Sequence, residues 1–233
     1  MINLENLDGL PVSFIKRLND FDAHFRFYEF LENFANNKTM NNLISEINDY
    51  CLTHKIVGFH FTNALEQDIL THGIIIRTGQ EIRASFTKNH FHLFSTNEQD
   101  QIRLLWKGQF DNSNGKNRDN RIFFNFTQHA LINGGAELLL KYYGGEQVYF
   151  PLYRIPEIAH KLENIGEPMI LKCSLDPNMI NTFIENPWGK IIASSYHRKI
   201  NPNAHTIDQD GYQEIEVKKE NIEIIKLKKN NNQ

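Results

Sequence analysis

Apolar positions step by three and four through Phe14, Leu18, Phe21 and Phe25, and again through Leu43, Ile47 and Tyr50, so the chain opens with helices. The polar run Asn36-Asn37-Lys38-Thr39 between them reads as a loop. At Ile56 the period changes to two. Ile56-Val57-Gly58-Phe59-His60-Phe61-Thr62 predicts a strand with Phe59 and Phe61 on one face and His60 and Thr62 on the other. Asn63 and Glu66 are spaced as an N-cap and its reach-back acid, opening a helix that carries Leu65 and Ile69 and stops at Gly73. Ser95 and Glu98 repeat that spacing ahead of Ile102, Leu105 and Trp106, in a helix ending near Gly108.

Beyond an exposed polar stretch at 111–120, Arg121 to Thr127 predicts a strand. Ala136 to Tyr143 reads as a helix closed by Gly144-Gly145, Gln147 to Tyr153 as a strand, Ile155 to Leu162 as a helix and Met169 to Ser174 as a buried strand. Asp176-Pro177 supplies a cap and first-turn proline for a short helix. Tyr212 to Val217 and Ile222 to Leu227 predict a final pair of strands joined by a turn. Strands scattered among helices without a βαβ rhythm point to an α+β fold.

Composition narrows the class. Hydrophobic residues make up 40% of the 233 and aromatics 12%, a core-forming and not a disordered balance. The opening Met-Ile-Asn-Leu-Glu has neither the basic start nor the apolar run of a secretory signal, and no stretch reaches the roughly 18 apolar residues of a membrane span. Cys51 and Cys173 stand apart with no framework around them, as core thiols of a reducing compartment do. A soluble cytoplasmic protein with no membrane partner is therefore expected. A net charge of −3 argues against a general phosphate-backbone binder but is compatible with a local basic groove. The late lysines Lys218, Lys219, Lys226, Lys228 and Lys229 read as solvated.

Three separated segments carry the chemistry: Phe59-His60-Phe61-Thr62 with Ile69 and Gly73; Arg121-Ile122-Phe123-Phe124-Asn125; and Gln213-Glu214-Ile215-Glu216-Val217 with the strand Ile222 to Leu227. In this order they resemble the ADP-ribosyltransferase superfamily, in its diphtheria-toxin-like and poly(ADP-ribose) polymerase-like branch. That resemblance implies a split mixed β-sheet core over residues 56–229, with residues 1–55 as an N-terminal helical segment packed on it and 230–233 as a disordered tail. It implies NAD as substrate and an enzyme that transfers ADP-ribose to a macromolecule, protein or nucleic acid. A toxin or phage-defence effector has such an activity, with a neutralising antitoxin as a candidate partner.

Site residues follow from the same resemblance. Breaking the nicotinamide–ribose bond builds positive charge on the sugar, which a carboxylate stabilises. The polymerase-like pattern gives that role to Glu214, our first choice; a Glu-x-Glu pattern gives it to Glu216, and spacing by two puts both on one strand face. His60 would hold the adenosine ribose, and Phe61, Thr62, Phe123, Asn125 and Tyr143 would line the NAD pocket, an aromatic ring stacking on nicotinamide. Arg77 and Arg83 follow the first helix, where relatives hold NAD phosphates, a contact suited to guanidinium. The segment Lys199 to Asp210 takes the place where the family recognises its acceptor. Phe61 stands where the family has a small residue, Phe123 where it has tyrosine, and Tyr142 and Tyr143 lie near its helix tyrosine.

Other patterns read as structure. Gly134-Gly135 and Gly144-Gly145 serve as caps, Glu137 and Glu146 as exposed helix-end acids, and His90-Phe91-His92, read as a strand, offers two imidazoles without further ligands at zinc spacing. No metal is expected. Two alternatives remain: an RNA 2′-phosphotransferase-like enzyme, which relies on arginines, and a non-catalytic nucleotide-binding module of the same fold.

Overall fold

A computed structural model of the chain describes residues 1–111, 118–207 and 209–228. In chain order the elements are α1 (Val12–Asn19), α2 (Asp22–Phe27), α3 (Lys38–Leu52), β1 (Ile56–Ala64), α4 (Glu66–His72), α5 (Gly79–His90), α6 (Thr96–Phe110) and β2 (Ile122–Asn125). There follow α7 (Glu137–Lys141), α8 (Glu146–Tyr149), α9 (Pro156–Glu163), β3 (Glu167–Leu175), β4 (Asn181–Thr182), α10 (Pro187–Ile200), β5 (Asp210–Gln213) and β6 (Ile222–Lys226). Among the described residues six strands form one antiparallel sheet in the order β4-β5-β2-β1-β3-β6, so the expected α+β class is observed while the expected mixed pairing is not. Phe59 lies opposite Asn125 in β1–β2, and Asn181 opposite Tyr212 in β4–β5.

Two compact units divide the chain. The first joins Met1–Phe59 to Phe123–His129 and Cys173–Gln213; the second joins His60–Ile122 to Ala130–Lys172 and Glu214–Gln233. The N-terminal helices thus belong with β2 and α10 in one unit. The expected tail at 230–233 lies outside the described residues, as does most of the polar stretch before β2.

In the first unit, α3 and α10 pack closely, because Gly189 leaves the Ile44 carbonyl room that a Cβ would fill. Trp188 is buried against Phe126, with ring centroids 4.8 Å apart, and its backbone N–H donates to Asn48 Oδ1 at 3.2 Å. His197 Nε2 reaches the Phe25 and Tyr28 carbonyls at 3.1 and 2.9 Å, tying α10 to α2. Asn37 is not loop but the N-cap of α3, accepting from Met40 N at 3.1 Å, so Lys38 and Thr39 are already helical.

In the second unit, a core of Phe86, Phe91, Ile102, Trp106, Val148 and Leu162 joins α5, α6, α8 and α9. Capping boxes at Thr78–Glu81 and Ser95–Glu98 start α5 and α6, the second as expected; α6 runs on to Phe110. Gln147 to Tyr153 is helix and turn instead of strand: Val148, Tyr149 and Leu152 are buried at helical spacing directly after the positive-φ pair Gly144 and Gly145. Asn63 does not cap α4 either. It lies within β1, and the N-cap is Leu65, with no side-chain hydrogen bond. The expected final hairpin is absent among the described residues: β5 neighbours β4 and β2, whereas β6 lies at the far edge beside β3.

Candidate active site

Alternation along β1 separates two faces as expected. Phe59 and Phe61 are 1% and 3% exposed, while His60 and Thr62 are half-buried. The Phe61 ring is therefore core and cannot line a pocket on the His60 face, which corrects its assignment as a NAD-contacting side chain. The next residue, Asn63, pairs with Tyr143 in a parallel bridge, and its Nδ2 donates to the carbonyls of Leu140 and Lys141 at 3.3 and 3.0 Å. Those bonds lay the end of α7 along the last residues of β1.

Of the two candidate tyrosines, Tyr142 is buried at 6% exposure and Tyr143 is half-buried beside β1. The Tyr143 hydroxyl lies 3.1 Å from His90 Nε2, with the two rings edge to face at 4.8 Å. Burial pushes the phenol pKa up, Asp68 adding to the rise and Arg77 opposing it. Burial likewise pushes the His90 imidazole down, with His92 in the same sense and Asp68 against. Both shifts favour the neutral pair, the phenol donating to an unprotonated nitrogen. His90 ends α5 and His92 sits in a short 3-10 turn, so they share no strand face; the described residues contain no cluster of three or more metal-ligating side chains.

Arg77 and Arg83 part company. Arg77 is exposed in the turn between α4 and α5, and its carbonyl accepts from Asn120 N at 3.1 Å. Arg83 Nη1 donates to Gln147 Oε1 at 2.6 Å and its guanidinium lies 4.5 Å over the Phe110 ring. Burial lowers its pKa, opposed by Asp119 and Asp111. It lines an open groove of about 400 Å³ between α5 and α6 with Gln80, Thr87, Arg103, Trp106 and Lys107.

Glu214 and Glu216 are exposed and follow β5 in a bend, so they do not share a strand face as the spacing suggested. Glu214 Oε1 accepts from Arg121 Nε at 3.3 Å. The backbones of Val217 and Ile74 exchange two hydrogen bonds of 2.9 Å, which dock the acidic segment on the turn that also carries Arg77. In the first unit Phe123 and Asn125 are half-buried on β2, the Phe123 ring 5.3 Å from Tyr212. Of the expected acceptor segment, Lys199 still belongs to α10 and Asp210 already to β5; between them His205 stacks on Phe30 at 4.2 Å. Glu137 and Glu146 open α7 and α8, and Glu146 pairs with Arg118.

The chain matches no family model, no curated protein and no solved structure.

Chemically, the second unit carries an imidazole and a hydroxyl on β1, the phenol of Tyr143 beside the end of that strand, and the exposed guanidinium of Arg77 on the turn to which the segment of the two acids is paired. Sequence reasoning missed His90 as the partner of Tyr143, Arg121 as the partner of Glu214, and the cations Arg103 and Lys107 on the α5–α6 groove. Only Arg121 had a signal, its place at the head of a motif-bearing segment.

Proposed function

We propose that this chain is an NAD-dependent ADP-ribosyltransferase acting on a macromolecular acceptor, working in the cytoplasm as a toxin or defence effector. One observation carries the reading. The segments that carry His60 and Glu214, far apart in sequence, belong to one compact unit, where Val217 beside the two acids pairs with Ile74 directly after the helix that follows β1. In this reading the bond between nicotinamide and the ribose C1′ breaks, nicotinamide leaves with the electron pair, and an acceptor nucleophile attacks C1′ and gives up its proton. Glu214 stabilises the cationic sugar, with Glu216 as the alternative acid. His60 and Thr62 hold the adenosine side, Tyr143 stacks on nicotinamide and Arg77 meets the diphosphate. An exposed pair such as Arg121–Glu214 is worth at most about 1 kcal/mol, so the carboxylate can exchange Arg121 for a ribose hydroxyl at little cost. The phosphotransferase alternative gains less support, since Arg83 is engaged by Gln147 and Phe110.

The test is nicotinamide release, with transfer of label from adenylate-labelled NAD to macromolecules of a cell extract. Glu214→Gln is expected to lower kcat by roughly 100-fold or more with the fold intact. Full activity in both Glu214→Gln and Glu216→Gln overturns the proposal, and NAD binding without release favours the non-catalytic module.

A further inference from the structure

The Tyr143 ring is held at three points. Its backbone is bridged to Asn63 of β1, the Phe86 ring packs at a centroid distance of 6.2 Å, and the hydroxyl meets His90 Nε2 at 3.1 Å. His90 is held in turn: it ends α5, and its ring lies 5.5 Å from Phe86. Of these restraints the hydrogen bond alone acts on the far tip of the ring, the part that swings most when the side chain rotates. Burial lowers the His90 pKa and so keeps an acceptor nitrogen available to the phenol near neutral pH.

We propose that His90 is a positioning residue for NAD, fixing through Nε2 the hydroxyl of Tyr143 and with it the ring that stacks on nicotinamide. The proposal rests on the NAD reading above and assigns His90 a role at a distance, with no contact to the reacting atoms. A ring already ordered before the dinucleotide arrives loses less freedom on binding, so the hydrogen bond appears as affinity for NAD and leaves the bond-breaking step untouched.

The experiment measures Kd for NAD by calorimetry on the full chain, with KM and kcat for nicotinamide release. His90→Leu keeps the bulk and removes the acceptor; it is expected to raise Kd and KM about three- to tenfold with kcat within about twofold of the parent. Tyr143→Phe should do the same, and the double variant should add nothing further, because both changes remove one bond. His90→Gln, which keeps an acceptor oxygen, should restore most of the affinity. Additive losses, or unchanged Kd and KM in a folded His90→Leu, overturn the proposal. Should His90→Leu fail to fold, an unchanged KM in Tyr143→Phe overturns it equally. A parent chain that binds no NAD sinks the transferase reading itself, whereas tight NAD binding indifferent to these substitutions removes only the role of His90.

Discussion

The carboxylate of Glu98 does two jobs at the level of one side chain. It closes the capping box of α6 with Ser95 and accepts from Lys161 Nζ of α9 at 2.7 and 2.9 Å. The Lys161 bond first, then the Ser95 bonds, hold its pKa down to about 2 from the ordinary 4.5. A depressed folded value means stability that is present above the unfolded pKa and lost as pH falls from about 4.5 toward about 2. Glu98→Gln is therefore expected to cost about 1–2 kcal/mol at neutral pH, with the deficit closing across that acid window, as read from urea midpoints. Asn63 shows the opposite fate of a capping pattern. Its spacing to Glu66 is right, yet the carbonyls of Leu140 and Lys141 compete for its amide and keep it in β1. Local spacing decided Ser95; partners 77 and 78 residues away decided Asn63.

Among the elements, the turn after α4 links fold to candidate chemistry. Gly73 sits at φ 72 and ψ −150, a region open almost solely to glycine, and a Cβ there would strike the Val217 carbonyl. Gly73→Ala should cost about 1–3 kcal/mol and loosen the Ile74–Val217 pairing that docks Glu214 and Glu216. The checks are a lowered urea midpoint, together with nicotinamide release that falls more than in a control of equal instability in the first unit, such as Gly189→Ala. Helix α10 was not among the elements expected from the sequence: Asn186-Pro187, Gly189 and Ser194-Ser195 are residue types that favour turns and loops. In the fold Pro187 occupies the helix's first turn, Gly189 is the contact with Ile44, and Ser194 is fully buried.

Across the whole molecule, both cysteines are buried, and burial pushes each thiol up to about 12. The native chain is expected to resist a thiol-specific chromogenic reagent and to release two equivalents of chromophore per chain once unfolded, the full cysteine count. Rapid native labelling would show that one of these regions opens. Among the described residues no helix is long and apolar enough to cross a membrane.

Periodicity by itself determined the strand at Ile56, the opposite facing of His60 and Phe61, the capped start of α6 and the buried strand before Asp176, because each depends on neighbours a few residues away. Tertiary structure alone decided which strands adjoin. A strand's side-chain alternation is the same whoever its partner is, so Tyr212 and Ile222 looked like one hairpin until β2 and β3 claimed them separately. It also buried Tyr142 and gave Tyr143 its His90 partner, since burial and a hydrogen bond spanning 53 residues leave no trace in local pattern.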